Sequence, residues 1–225
     1  MSNITWSDLR TDLALPFRAS VVKNAPAKRL LILAHGVGGN ETNLAPLGAP
    51  LATDTLVILA RGPLTLGTNQ YGWFQVSFGP QGPRPDLEAA EASRQLLATF
   101  IAQVQEIYAM APAQTVVAGF SQGGIMSASV GLTEPGLLRG FGVLSGRILP
   151  EIRPRIVDRN ALSAVQAFIG HGRDDTKLGV DWAYKADVLL NEVGVAHEIC
   201  LYAGDHGIPA SMQRDFLNWV DRILV

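Results

Sequence analysis

Ser121 is the residue in this chain best placed by its neighbours to act as a nucleophile. It stands in Gly119-Phe120-Ser121-Gln122-Gly123-Gly124, directly after the apolar, β-branched run Thr115-Val116-Val117-Ala118. A serine on a sharp strand-to-helix turn, flanked by small residues, is the nucleophile elbow of an α/β-hydrolase. A serine hydroxyl attacks an acyl carbon only when a base removes its proton, and a carboxylate must hold that base in the right tautomer. In this fold the three follow in the chain order serine, acid, histidine.

The chain has four histidines, and of these His197 and His206 follow a plausible acid. His197 falls inside an apolar strand-like run, where a structural role is expected. His206 lies in the turn Gly204-Asp205-His206-Gly207 after the run ending at Tyr202, which puts it on the carboxyl-end side of a sheet, beside the elbow. The acid belongs in Gly170-His171-Gly172-Arg173-Asp174-Asp175-Thr176, and spacing alone leaves Asp174 and Asp175 as alternatives. His171 precedes both acids and is expected to pack near the strand end. The oxyanion of a tetrahedral intermediate needs backbone N–H donors. One is expected from Gln122, after the nucleophile. The other is expected from Val37, in the Gly-rich loop His35-Gly36-Val37-Gly38-Gly39-Asn40. That loop does not match the spacing of a dinucleotide fingerprint, so no such cofactor is expected.

The elements that must hold these residues are legible as alternation. Apolar runs at 30–34, 56–60, 115–118, 141–144, 165–169 and 197–202 read as strands buried on both faces. Helical patterns at 86–108, 122–132, 180–192 and 208–224 separate them, and residues 13–23 suggest an antiparallel edge strand or hairpin. The expected architecture is one α/β domain over 1–225, with a mostly parallel sheet covered by helices on both faces. Segment 63–85 breaks the rhythm. Rich in Gly and Pro, it also carries Tyr71, Trp73, Phe74 and Phe78, which favours a lid or pocket wall. Ser127 and Ser129 suit close helix packing rather than chemistry.

Composition narrows the partners. The chain has 225 residues, 48% hydrophobic and 17% charged, with a formal net charge of −2. No basic run suggests nucleic acid. No apolar run is long enough to span a membrane, and no secretory pattern opens the chain, so a cytoplasmic enzyme without stable membrane insertion is expected. Cys200 is the single cysteine, which excludes an intrachain disulfide and a Cys-rich metal site. It is expected to act as a small buried hydrophobe. No cofactor or metal is expected. An apolar lid could pair two subunits into a homodimer.

These motifs together resemble the small carboxylesterase/phospholipase family, which includes acyl-protein thioesterases and bacterial esterases. The matching pieces are Leu33-Ala34-His35-Gly36-Val37-Gly38-Gly39, Arg61-Gly62-Pro63, Gly72-Trp73-Phe74, the Ser121 hexapeptide, Leu144-Ser145-Gly146, His171-Gly172-Arg173-Asp174-Asp175 and Asp205-His206-Gly207-Ile208. The resemblance implies an α/β-hydrolase fold and selects Asp175 as the acid. It also implies that Trp73 lines an acyl pocket with Phe74 beside it, and that Arg61 holds the active-site loop. The chain departs from the family pattern after the acid, where it reads Thr176-Lys177-Leu178-Gly179. The activity implied is a metal-free serine carboxylesterase acting on short- to medium-chain esters through an acyl-enzyme. A thioesterase or lysophospholipase is the alternative within the class, and a ligand-binding protein with little turnover is the alternative outside it.

Overall fold

The computed structural model describes residues 4–21, 26–79 and 82–224, without the side chains at 78, 79, 82 and 83. Its elements run β1 (Phe17–Ala19), β2 (Arg29–Ala34), α1 (Ala45–Gly48), β3 (Thr55–Ala60), β4 (Leu64–Gly67), β5 (Gln70–Gly72), β6 (Val76–Gly79), β7 (Gly82–Pro85), α2 (Leu87–Tyr108), β8 (Thr115–Phe120), α3 (Gln122–Thr133), β9 (Gly140–Leu144), α4 (Arg159–Leu162), β10 (Gln166–Gly172), α5 (Asp181–Val193), β11 (Ala196–Tyr202) and α6 (Ala210–Ile223).

Seven strands form the central sheet in the order β1-β3-β2-β8-β9-β10-β11. Every pairing is parallel except β1 with β3, whose register runs Phe17↔Ala60 to Ala19↔Ile58. In the inner strands the apolar runs are continuous because successive side chains enter opposite cores, whereas β11, expected to be buried on both faces, is an edge strand whose side chains are mostly half-buried or exposed. In β2, Leu30, Ile32 and Ala34 face a core shared with α2, α3 and α5, whereas Leu31 and Leu33 face one shared with α6. On the α6 side, Phe216 and Trp219 stack near-parallel, 5.9 Å apart, against Phe168 of β10. The side chain of Asp86 caps α2 by accepting from the Ala89 N–H at 3.0 Å.

Segment 63–85 differs from the irregular loop expected. It contains two antiparallel pairs, β4 with β5 and β6 with β7. The first closes tightly because Asn69 takes a left-handed conformation (φ 57°), which its short amide side chain tolerates. Positions 80 and 81 of the expected lid and positions 22 and 23 of the expected edge segment lie outside the described residues, as does the side chain of Phe78. Cys200 is half-buried against the α6-side core rather than enclosed.

The fold delivers four loops to one edge. The segments that follow β2, β8, β10 and β11 at their carboxyl ends carry Val37, Ser121, Asp175 and His206, respectively.

Candidate active site

Ser121 joins β8 to α3 with φ 52° and ψ −114°, a conformation that costs a non-glycine residue roughly 1–3 kcal/mol. Two backbone bonds hold it: Ser121 N–H donates to Leu144 O at 2.9 Å, and Ile125 N–H donates to Ser121 O at 3.1 Å. The turn is tight enough to require its glycines. A Cβ at Gly123 would fall 2.0 Å from the Ala34 carbonyl oxygen, and one at Gly119 would fall 2.3 Å from the Gly123 carbonyl carbon. The spacing of the hexapeptide is thus the spacing at which α3 crosses β2 and β8.

The Ser121 Oγ lies 3.0 Å from His206 Nε2, and His206 Nδ1 lies 2.7 Å from Asp175 Oδ2. Hydroxyl, imidazole and carboxylate therefore form one hydrogen-bonded line able to move a proton off the serine and stabilise the imidazolium that results. The Asp175 side chain is 0% exposed. Its other oxygen accepts the backbone N–H groups of Lys177 (2.9 Å) and Leu178 (2.8 Å), and His171 Nε2 stands 3.3 Å from Oδ2. His171 is fully buried at the end of β10 and donates from Nε2 to Leu178 O at 2.7 Å. Asp174 is exposed, and its contact is the Gly204 N–H at 3.4 Å. Of the two acids that spacing left open, the structure brings Asp175 to His206. His197 sits in β11 against Asp187 at 2.9 Å, away from this line.

Two residues with no role assigned from sequence keep His206 and its surroundings in place. Ser145 adopts φ 48° and donates from Oγ to Gly207 O at 2.7 Å. Asp205 accepts from the Thr176 N–H at 2.7 Å and from its hydroxyl at 2.9 Å, tying the acid loop to the histidine loop. The backbone hydrogen bond from Thr176 holds the Asp205 carboxyl below the usual carboxylate range. Ser127 and Ser129 donate back to Gly123 O and Ile125 O within α3.

The Gly-rich loop after β2 is clamped against β5. Gly38 N–H donates to Tyr71 O (2.8 Å) and Tyr71 N–H to Gly39 O (2.7 Å). Among the described residues, nothing accepts the Val37 and Gln122 backbone N–H groups. Both residues line the cavity that holds Ser121. His35 is buried and neutral, because burial pushes its imidazole below the usual histidine range. It donates from Nδ1 to Gly36 O (2.7 Å) and accepts the Gly62 N–H at Nε2 (3.0 Å). No sequence signal other than its place before Gly36 marked it as this pin.

Arg61 acts through the loop and does not line the cavity. Its guanidinium bonds Glu41 at 2.8 Å and the Tyr71 hydroxyl at 3.1 Å, and lies 4.3 Å over the Tyr71 ring. Arg18 reaches the other Glu41 oxygen at 3.0 Å. Burial alone would raise the Glu41 carboxyl, but the hydrogen bonds from Arg61 and Arg18 bring it down from 4.5 to about 2. A depressed folded-state value means stability that is present above the unfolded value and lost as pH falls through the folded one. Glu41→Gln should therefore cost about 2–3 kcal/mol at pH 7, with the gap to wild type narrowing below pH 4.5, as urea melts at pH 7 and near pH 3.5 would read.

Trp73 requires a correction. It was expected to line the acyl pocket, yet it is 1% exposed and is not among the residues lining the cavity; Phe74 is. Its indole N–H donates to His35 O at 2.9 Å, so the ring braces the loop from behind. The Gln122 side chain holds both aromatic residues, accepting the Trp73 N–H (2.8 Å) and donating to Phe74 O (2.7 Å). Gln122→Leu leaves its backbone N–H in place but strands two buried backbone groups. It should destabilise the protein by about 2–4 kcal/mol in a urea melt and raise KM for esters.

The cavity above Ser121 encloses about 460 Å³, with an apolar side formed by Leu66, Phe74, Val76 and Ile125. That volume lies within the range of small-molecule sites. Among the described residues, no helix is long and apolar enough to cross a membrane.

Comparison with known proteins follows the same lines. The model of the Phospholipase/Carboxylesterase family matches residues 18–223. Esterase YpfH of Escherichia coli (strain K12) is 33% identical over 179 residues, covering 75% of this chain and 71% of the relative. Acyl-protein thioesterase 1 of Kluyveromyces lactis is 26% identical over 177 residues, covering 73% and 77%. The crystal structure of a carboxylesterase from Mesorhizobium loti matches in fold with a TM-score of 0.80 at 23% identity, covering 95% of this chain and 98% of that one. The family match over most of the chain, the esterase relative and the shared α/β-hydrolase fold converge, and the chain belongs to the phospholipase/carboxylesterase family, a serine hydrolase of the esterase, thioesterase or phospholipase type.

Proposed function

We propose that this protein hydrolyses short- to medium-chain carboxylic esters through an acyl-enzyme on Ser121. The observation that carries the reading is the line from Ser121 Oγ through His206 to buried Asp175, at 3.0 and 2.7 Å. His206 takes the serine proton as Oγ attacks the carbonyl carbon, then returns it to the departing alcohol. The Val37 and Gln122 N–H groups, which have no acceptor among the described residues, receive the oxyanion. Water then enters, His206 takes its proton, and the acid leaves as Ser121 is regenerated. Asp175 stays ionised and orients the imidazole throughout. The apolar cavity side of Leu66, Phe74, Val76 and Ile125 supports an acyl chain of modest length.

Thioester hydrolysis is the second reading, favoured by the named thioesterase relative at 26% identity. The same residues would serve, since only the leaving atom changes. Initial rates on p-nitrophenyl esters from acetate to laurate, against Ser121→Ala as the blank, test the first reading. A matched acyl thioester in the same series tests the second. A peak at butyrate to octanoate is expected. Wild-type rates equal to the blank on every ester and thioester would overturn both and leave a ligand-binding protein.

A further inference from the structure

Two cations stand in the wall of the cavity that holds Ser121 and His206: Arg147 and Lys177. Arg147 follows β9, and one face of its guanidinium lies 4.5 Å over the Trp182 ring. That contact occupies a face of the plane and leaves the N–H edges unused. Among the described residues no carboxylate comes within ion-pair distance of Arg147, and its Nε–H is buried without a hydrogen-bond partner. The carboxylate whose charge it feels, Glu151, acts from beyond that distance, and burial pulls the guanidinium below its ordinary value.

Several arginines of this chain sit against a carboxylate, and others, such as Arg139 and Arg159, donate to backbone carbonyls. Arg18 and Arg61 share Glu41, Arg94 pairs with Glu91, and Arg153 meets Glu192 in a two-point contact. A half-buried guanidinium with no carboxylate in ion-pair range among the described residues, in the mostly apolar wall of the cavity that also holds Ser121, is an open receptor for a planar or tetrahedral anion. Lys177 adds a second positive charge from the loop whose backbone N–H fixes Asp175. No ion pair within the described residues engages its ammonium group. With an overall formal charge of only −2, selection here would act at contact range rather than by long-range steering.

Resting on the esterase reading above, we infer that the preferred substrate is an ester bearing an anionic group, a carboxylate or a phosphate, and that Arg147, with Lys177 beside it, receives that group while Ser121 attacks the carbonyl. Arg147 is then a specificity-determining residue for the reaction.

Matched substrates test this on the purified full-length protein. For a carboxylate in the acyl portion, the mono-p-nitrophenyl ester of glutaric acid is compared with p-nitrophenyl valerate and the p-nitrophenyl ester of 5-(trimethylammonio)valeric acid, each corrected for its rate without enzyme. For a phosphate in the alcohol portion, butyryl glycerol 3-phosphate is compared with butyrylglycerol. In at least one arm, kcat/KM for the anionic ester should exceed its neutral partner by about 10-fold or more, with the cationic ester poorest; the arm that responds identifies the anion's source. Arg147→Met should lower the anionic-to-neutral ratio about 10- to 100-fold, chiefly through KM, and Arg147→Lys should retain part of it. Neutral esters preferred in both arms would overturn the inference. So would an Arg147→Met protein that loses anionic and neutral turnover alike, since that is what a purely structural contact with Trp182 predicts. Should Arg147→Met fail to fold, the wild-type order of substrates decides. Calorimetric titration of Ser121→Ala with glutarate and with glycerol 3-phosphate separates this inference from the esterase reading. Binding that Arg147→Met abolishes, with no ester turnover in wild type, keeps the anion site and removes the esterase reading. Absent binding together with absent preference removes the anion site.

Discussion

Ser121→Ala should lower turnover of the best p-nitrophenyl ester by about 10⁴- to 10⁶-fold, with residual rate above buffer from the oxyanion donors and the cavity alone. The size follows from the lack of a substitute. The nearest hydroxyls on the same helix, Ser127 and Ser129, are buried and committed to carbonyls of the preceding turn. The fold should survive the change. The Ser121 hydroxyl makes one side-chain hydrogen bond, to His206, and the backbone bonds that hold the turn do not involve it. The two proteins should therefore give superimposable circular dichroism and melt within a few degrees of each other. A variant that folded and kept more than about a hundredth of wild-type activity would remove Ser121 from the mechanism.

Asp175→Asn should cost about 10⁴ in kcat, whereas Asp174→Asn should change it by less than about threefold. The argument is one of tautomers. Asp175 Oδ1 accepts two backbone N–H groups, from Lys177 and Leu178, so an asparagine must keep its carbonyl oxygen there. Its amide NH₂ then points at His206 Nδ1, which must accept. The imidazole proton moves to Nε2, facing Ser121, and the base is blocked without any change of shape. Asp174 is exposed, and among the described residues its carboxylate hydrogen-bonds the Gly204 N–H alone, at 3.4 Å, so its amide isostere has little to reverse. Parallel kcat values for both variants would decide between the acids; comparable losses at the two positions would refute the assignment to Asp175.

Much of this was legible beforehand for reasons that are local. Strands buried on both faces are apolar at nearly every position, so β2, β3, β8 and β9 stood out as runs within a residue or two of their observed limits, while β10 extends three residues past the end of its apolar run. The elbow was legible because a Cβ at Gly119 or Gly123 would collide with backbone, which leaves glycine as the residue that fits. The chain order of serine, acid and histidine then followed from the order of the strands. Segment 63–85 was harder. Its glycines and prolines announced irregularity, yet Asn69 could close β4 onto β5 because a left-handed turn residue needs only a short polar side chain.

Other points depended on which way a side chain faces once the sheet is assembled. Spacing could not choose between Asp174 and Asp175, because adjacent residues point apart and only the docked histidine loop tells which one turns inward. The resemblance to a family selected Asp175, and the distance to His206 agrees with that choice. Trp73 and Phe74 are likewise neighbours, and the pairing of Gln122 with the Trp73 N–H and Phe74 O turns Phe74 into the cavity and Trp73 behind it. Arg147 carried no signal at all. An arginine in sequence is a surface charge by default, and the role proposed for this one rests on what tertiary structure withholds: among the described residues, no carboxylate lies within ion-pair distance of the guanidinium, and its Nε–H has no hydrogen-bond partner. The sequence by itself determined the fold class, the candidate nucleophile and the chain order of the residues proposed to react, since each leaves a mark on local composition. Tertiary structure decided the acid's facing, the cavity wall and its unpaired charge, because these are relations between residues distant in the chain, and no local pattern records them.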